Sequence, residues 1–189
     1  MALLAGRGGR PLVRGLAVVL VAAALSVGSP AVSTPLSEAQ VKAGLLYNFI
    51  SFVEWPETPE PNVLVIGVFG ADPVTAALQP VRGQTVGHRR IEVREVGGET
   101  DARRCHILFV PTSRDREAPA LLAALRDVPV LTVGEHEQFT RLGGVIRVFP
   151  DRSRLRLEID VTRAERLKLR ISSRLLNLSR VVKDGHVVR

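Results

Sequence analysis

The side chains that most often carry out chemistry are few and scattered in this sequence. The four histidines, His88, His106, His136 and His186, form neither the H-x-x-x-H nor the H-E-x-x-H spacing of a metal site. No G-x-S-x-G segment is present, so a serine nucleophile of the hydrolase type has no support. We therefore predict no catalytic residue, no metal site and no cofactor. An enzyme with an unrecognised site is kept as an alternative.

The only cysteine, Cys105, begins an apolar segment at residues 105–110. A short apolar run of this kind predicts a strand that is buried on both faces. We therefore expect a buried structural thiol, with a reactive or intermolecularly bridged thiol as the alternative. A single cysteine cannot form an intramolecular disulfide.

Basic side chains are concentrated near the C-terminus, where residues 163–174 hold five arginines and lysines interleaved with apolar residues. This pattern predicts an amphipathic helix with a solvated basic face. The segment has no aromatic side chain that could stack on a base, so nucleic acid is not a predicted partner. Arg170, Arg174 and Arg180 are the candidate residues for binding a small anion.

Aromatic residues are concentrated in the first predicted helix. Four of the eight aromatic side chains lie within nine residues: Tyr47, Phe49, Phe52 and Trp55. A capping box beginning at Ser37 predicts the start of a helix over residues 38–54, and Pro56 disfavours its continuation. We expect Phe49 and Phe52 to face the core.

The same helix offers a candidate surface for a partner. Its apolar residues span roughly 180°, which is wider than a surface helix needs for one contact. On the remaining face Tyr47 lies beside Gly44 and Ser51, and small residues allow a second element to approach closely. These three residues and Trp55 are the candidate partner-binding or dimer residues. For Trp55, a role as a plug in the core is the favoured interpretation.

The N-terminal residues 1–33 have the features of a secretory signal peptide. Arg7, Arg10 and Arg14 precede twelve apolar residues at 16–27, and the small residues 31–33 have the spacing of a cleavage site. Twelve residues are too few to span a bilayer comfortably, although an uncleaved anchor is the alternative. Cleavage after Ser33 leaves 156 of the 189 residues and lowers the formal net charge from +7 to +4. The high whole-chain pI therefore overstates the case for nucleic acid.

Residues 34–189 are predicted to form one α/β domain, because no linker or repeat divides them. Strands are predicted at residues 63–69, 90–96, 106–110, 128–133, 145–149 and 155–160. Besides residues 38–54, helices are predicted after Asp72, at residues 115–126, 135–142 (closed by Gly143), 161–166 (capped by Asp160) and 168–181. This order predicts a mixed, mostly parallel sheet flanked by helices, with a C-terminal antiparallel hairpin and terminal helices.

Five segments of the chain, taken in order, carry a family resemblance. They are KAGLLYNFISFVEWP (residues 42–56), IGVFGADPVTAALQPVRGQTVGHRRIEV (66–93), CHILFV (105–110), PVLTVGEHEQFTRLGGVI (129–146) and LRLEIDVTRAERLKLRISSRLLNLSRVV (155–182). Together these segments resemble the YfiR-like periplasmic family, which is also known as a domain of unknown function. The resemblance covers nearly all of the chain after the predicted signal peptide.

The resemblance implies a periplasmic regulator that is dimeric and has no enzymatic activity. The best-known type of the family binds the periplasmic sensor domain of an inner-membrane diguanylate cyclase and represses it, which lowers cyclic di-GMP and biofilm output. That type has several cysteines that form disulfides, whereas this chain has only Cys105, so redox control through an intramolecular bridge is expected to be absent. The alternative is a periplasmic sensor of a small anion or nucleotide, acting with a different membrane partner.

Overall fold

The computed structural model describes residues 35–56, 61–152, 154–183 and 186–188. The predicted signal peptide, residues 1–33, lies outside the described residues. The helices are α1 (Glu38–Phe49), α2 (Pro73–Ala77), α3 (Glu99–Ala102), α4 (Ala118–Ala124), α5 (Val161–Arg166) and α6 (Ser173–Asn177). The strands are β1 (Val53–Glu54), β2 (Val63–Phe69), β3 (Thr85–Val86), β4 (Arg89–Val96), β5 (Ile107–Val110), β6 (Leu131–Gly134), β7 (Ile146–Asp151), β8 (Arg154–Asp160), β9 (Arg170–Ile171), β10 (Arg180–Lys183) and β11 (His186–Val187).

Within the described residues, nine strands form one sheet in the order β11-β10-β8-β7-β6-β5-β2-β4-β3. The five neighbouring strands from β4 to β7 are all parallel. Strands β7 and β8 form the predicted antiparallel hairpin, and β10 then pairs parallel with β8. Strands β1 and β9 form a separate antiparallel pair. The prediction of a mixed, mostly parallel sheet with helices around it is confirmed.

The sheet is central because its inner strands are apolar on both faces. Six of the seven residues of β2 are buried, and all four residues of β5 are buried. One core cluster packs the helices α1, α2, α5 and α6 against one face of the sheet. A second cluster packs α3, α4 and Phe139 against the other face. In a parallel sheet the connecting helices lie on both faces, so the strands are buried on two sides and are apolar throughout.

Helix α1 is shorter than predicted and ends at Phe49 rather than residue 54. The predicted capping box at Ser37 is present. After the helix, the Phe52 N–H donates to the Phe49 carbonyl at 3.0 Å, which closes a tight turn. Residues Val53 and Glu54 then pair with β9, so tertiary strand pairing replaces the last helical turn that local periodicity predicts.

The predicted helix at residues 135–142 is wrong, because this segment forms turns. Phe139 is fully buried, and its ring lies against both Gly134 and Gly144, whose missing side chains make room for it. The Gly144 N–H donates to the Phe139 carbonyl at 2.9 Å. Gly143 does adopt the predicted left-handed conformation, with φ of +99°. Burial of one aromatic ring outweighs the helical pattern.

The predicted C-terminal helix at residues 168–181 is also wrong in most of its length. Lys168 has a φ of +58°, which ends the preceding helix, and β9, the five-residue α6 and β10 follow. Strand β10 joins the main sheet beside β8, where Val182 is buried. The segment therefore adds a strand to the sheet. Its basic and apolar residues alternate in a way that is also typical of an amphipathic helix, which explains the wrong prediction.

No helix among the described residues is long and apolar enough to cross a membrane.

Candidate functional site

The exposed side of α1 carries most of the predicted interface residues. Gly44 and Ser51 are exposed, whereas Tyr47 is half-buried and packs against the core. A Cβ atom placed on Gly44 would meet no atom of the described residues within 4 Å, so these residues leave the space above this glycine open. Val41, one turn before Gly44, is also exposed. We call Val41, Gly44, Tyr47 and Ser51 the α1 surface.

Trp55 lies at the other end of this region and is anchored to the sheet. Its indole N–H donates to the carbonyl oxygen of His106 at 2.9 Å. The two rings meet edge to face with a centroid separation of 6.0 Å. Trp55 is half-buried and packs against the core beside α1, while Phe49 is fully buried. The indole therefore ties the segment after α1 to the start of β5.

The predicted anion-binding arginines lie on three different elements. Arg170 on β9 faces Glu54 at 3.8 Å between its Nη1 and the carboxylate oxygen. Arg174 is exposed on α6. Arg180 on β10 lies 3.7 Å from a Glu158 oxygen and stacks over the Phe149 ring at 5.4 Å. Arg170 and Arg180 line different pockets.

Arg170 instead shares a pocket with Trp55. The pocket thus combines one predicted anion-binding residue with one predicted partner-binding residue. The pocket has a volume of about 680 Å³. It is lined by Glu54, Trp55, Pro56, Glu165, Lys168, Leu169 and Arg170. Two acids and two bases line it, so its charge is mixed. A ligand with an aromatic or planar part and an acidic group matches these side chains in kind. We call it the Trp55–Arg170 pocket.

His106 is buried next to Trp55 and is neutral at physiological pH. Its Nδ1 accepts a hydrogen bond from the Val65 N–H at 3.1 Å, which fixes the proton on Nε2. Burial and, to a smaller extent, the positive charge of Arg89 together lower the pKa of His106 to about 4. The Nε2 atom is buried and has no hydrogen-bond partner among the described residues. This histidine orients the start of β5 rather than carrying a charge.

The thiol of Cys105 is buried, as predicted. Burial raises the pKa of Cys105 to about 12, and the opposing effect of Arg94 is smaller. A thiolate is the reactive form of cysteine, so this residue is inert in the native protein. Within the part of the chain that the structure describes, no group of three or more histidine, cysteine or acidic side chains could hold a metal ion.

A further group of arginines was not predicted as a site. Arg126, Arg141, Arg163 and Arg166 line one groove of about 790 Å³. They come from the loop before β6, the turn before β7 and helix α5, so no local motif unites them. One part of the group could have been found from the sequence. Asp160 caps α5, and within that helix Arg163 and Arg166 lie one turn apart. We call this the arginine groove.

Comparison with known proteins identifies a matching family and structures of similar fold. A profile of the family described as YfiR/HmsC-like matches residues 39–180. No curated protein has significant similarity to the chain. A conserved domain protein from Vibrio cholerae O1 biovar El Tor has a similar structure, with a TM-score of 0.53, 12% identity and 77% of this chain covered. An ABC domain from Streptococcus pneumoniae, solved in complex with L-Trp, has a TM-score of 0.50, 13% identity and 76% of this chain covered. The chain spans only 60% of each of those two chains, so the likeness shows the fold alone.

Proposed function

The chain belongs to the YfiR/HmsC-like family, and on that basis we propose that it binds the periplasmic domain of an inner-membrane diguanylate cyclase and represses it. The family suggests a periplasmic regulator of cyclic di-GMP signalling, and a regulator of this kind acts by binding rather than by catalysis. Repression lowers cyclic di-GMP and with it biofilm output. In this proposal the protein is exported, loses its signal peptide and works as a homodimer.

The residue-level observation that supports a protein interface is the open space above Gly44. Glycine in the middle of a helix costs about 1 kcal/mol relative to alanine. Packing against the described part of the chain does not require glycine here, because a Cβ atom would contact none of its atoms. An approaching second chain is a physical reason to keep the position free of a side chain, since small residues let helix axes come within about 8 Å.

The neighbouring side chains have the composition of an interface centre. Tyr47 is half-buried, so part of its ring is available to a partner while the rest is held by the core. Tyrosine is enriched among the residues that contribute most to binding. Stable protein interfaces bury about 800 Å² on each partner, which is more than the α1 surface alone supplies. The surface is therefore proposed as the centre of a larger contact.

Gly44→Arg is the variant that tests this surface with the least damage to the fold. The new side chain points into open space on the isolated chain but would clash with a closely packed partner. A strain that lacks the gene is complemented with the wild type, with Gly44→Arg or with Leu178→Arg, and cyclic di-GMP is measured by mass spectrometry. Leu178 is 72% exposed on the segment after α6 and serves as a matched control for the added charge.

We expect the deletion to raise cyclic di-GMP, and the wild type and Leu178→Arg to lower it again. Gly44→Arg should fail to lower it, and light scattering should show that Gly44→Arg is monomeric. Tyr47→Arg should behave in the same way. If the deletion leaves the nucleotide level unchanged, repression of a cyclase is the wrong function. If Gly44→Arg and Tyr47→Arg both repress and remain dimeric, the α1 surface is the wrong interface.

The Trp55–Arg170 pocket favours a second candidate function, a sensor of a small ligand. An indole beside a guanidinium can hold a planar acid by stacking and ion pairing. A native-state ligand raises the melting temperature in proportion to the logarithm of its concentration. Thermal shifts with nucleotides and amino acids should then be lost in Arg170→Gln and kept in Arg174→Gln. Absence of any concentration-dependent shift in the wild type would reject this second function.

A further inference from the structure

The arginine groove lies at the opposite end of the parallel strands from the usual ligand site of such sheets. Arg126 precedes β6, Arg141 precedes β7, and α5 begins where the antiparallel strand β8 ends. These positions all fall at the amino ends of the parallel strands. The groove is also separate from the α1 surface and from the Trp55–Arg170 pocket, because it shares no residue with either.

Arg163 forms the floor of the groove and is held in place by the backbone. It is only 9% exposed. Its Nε donates to the Gly143 carbonyl at 3.0 Å, and one Nη donates to the Leu125 carbonyl at 3.4 Å. A guanidinium has five N–H donors, so these two bonds leave others for a ligand. The side chain is therefore a buried, pre-oriented cation at the base of a cavity.

The surrounding positive charges are close enough to affect one another. Burial lowers the pKa of Arg163, and the charges of Arg166 and Arg126 lower it further, while Asp127 and Asp160 oppose them. Arg126 and Arg141 are exposed and form no hydrogen bond or ion pair within the described part of the chain. The neighbouring guanidinium groups therefore disfavour the charge on Arg163, and a bound anion would offset that effect.

The acidic side chain at the groove is already engaged in the fold. Asp160 lines the groove, but its Oδ1 accepts the Arg163 backbone N–H at 2.9 Å as the cap of α5. Among the described residues, the negative charges of Asp160 in the lining and of Asp127 nearby do not balance the four arginines. His186 also lines the groove and supplies a further donor. The groove therefore presents a surplus of donors and of positive charge.

We propose that the arginine groove binds a phosphate-bearing molecule with at least two negative charges. The planar guanidinium fork matches two oxygens of a phosphate, and several arginines together favour a multiply charged ligand over a single carboxylate. The volume of about 790 Å³ is larger than inorganic phosphate needs and lies within the range of small-molecule sites. The phosphate can belong to a free metabolite or to a lipid headgroup. This site is independent of the proposed repression of a cyclase.

Calorimetric titration with inorganic pyrophosphate tests the proposal on the protein expressed from its full-length gene. We expect binding to the wild type that weakens as salt is added. The double variant Arg126→Gln and Arg141→Gln should bind at least tenfold more weakly, because each charge-assisted hydrogen bond contributes a factor of about ten. Both side chains are exposed and form no hydrogen bond or ion pair with the described residues, so this variant should fold normally.

The matched control removes the same charge elsewhere. Arg82 and Arg104 are exposed and lie outside the groove, and Arg82→Gln with Arg104→Gln should bind pyrophosphate like the wild type. Competition by vesicles containing cardiolipin, whose headgroup carries two phosphates, would assign the phosphate to a lipid headgroup, and lack of competition would assign it to a free molecule. The proposal is overturned if the wild type does not bind pyrophosphate, or if the groove variant and the control variant lose affinity equally.

Discussion

The two halves of the sheet are stabilised by different interactions. In the half formed by β4, β2, β5 and β6, the buried side chains are almost entirely apolar, and the polar exceptions among the described residues are Thr132 on β6 and His106 just before β5. In the half formed by β7, β8 and β10, the buried residues include Glu158, Asp160 and the nearby Arg163. The apolar half is a scaffold, whereas the arginine groove lies where the charged half meets the loop before β6. Buried charge here marks the part of the molecule that is suited to binding ions.

Glu158 is the central acid of the charged half. It is only 7% exposed and accepts a hydrogen bond from the Thr140 hydroxyl at 2.8 Å. Its other oxygen lies 3.9 Å from Arg147 and 3.7 Å from Arg180. Both arginines also stack on the ring of Phe149. Glu158 therefore balances two cations on β7 and β10, the two strands that flank β8.

The largest predicted effect follows from removing this carboxylate. Glu158→Ala leaves the Arg147 charge and the Thr140 hydroxyl without their partner, and breaking a buried pair in this way costs about 3–5 kcal/mol. Because Arg180 is half exposed, we expect a loss near the lower end, measured by urea unfolding. Glu158→Gln keeps an oxygen for Thr140 and should lose less. A change below about 0.5 kcal/mol in Glu158→Ala would show that the charges are stabilised by solvent instead.

Local signals decided which elements could be predicted from the sequence. Strand β2 is a continuous apolar run, and helices α2 and α5 follow Asp72 and Asp160, whose side chains cap them as expected. Such local signals are sufficient in both halves of the sheet. Strand β10 was missed because its burial depends on pairing with β8, and Phe139 was missed because its ring packs against two glycines that lie outside the predicted helix, five residues away on either side. Neither pairing is visible in local periodicity.

The candidate sites divide in a similar way. Exposure of Gly44 and Ser51 agrees with the helical periodicity, because both positions lie on a single helix and its end. The meeting of Trp55 with Arg170 depends on the pairing of β1 with β9, which a sequence pattern of two-residue strands does not reveal. The arginine groove depends on three loops and helices that are close only in the folded chain. Surfaces on one element could be predicted, and sites built from several could not.

His106 tests the apolar half, because it is a titratable group in an apolar environment. Its pKa is about 4 in the folded protein and is close to 6.5 in an unfolded chain. The unfolded state therefore binds more protons between these values, and stability falls as the pH decreases from 6.5 to about 4. The loss over this range is about 3 kcal/mol when the shift is converted directly. Above pH 6.5 this residue contributes no pH dependence.

The measurement is the free energy of unfolding as a function of pH for the wild type and for His106→Asn. Asparagine offers an oxygen to the Val65 N–H but does not titrate, so the variant should have a flatter profile between pH 6.5 and 4. His88 is exposed, and His88→Asn is the matched control that should keep the wild-type slope. Equal slopes in all three proteins would contradict the assignment of this acid sensitivity to His106.

The smallest predicted effect follows from Gly67→Ala, which adds a single methyl group in the middle of β2. A Cβ atom on Gly67 would lie 2.5 Å from the Cys105 sulfur and 2.8 Å from a Val96 methyl carbon, and both neighbours are buried. Overpacking of this kind costs about 1–3 kcal/mol, so Gly67→Ala should lower the urea midpoint. Gly44→Ala is the matched control. Its Cβ atom contacts none of the described residues, and alanine favours the helix over glycine, so this substitution should stabilise the isolated chain by up to about 1 kcal/mol. Opposite signs for these two substitutions would show that one glycine is required by the apolar scaffold and the other is not. If Gly67→Ala is neutral, β2 and β5 can move apart, and the scaffold is less rigid than its packing implies.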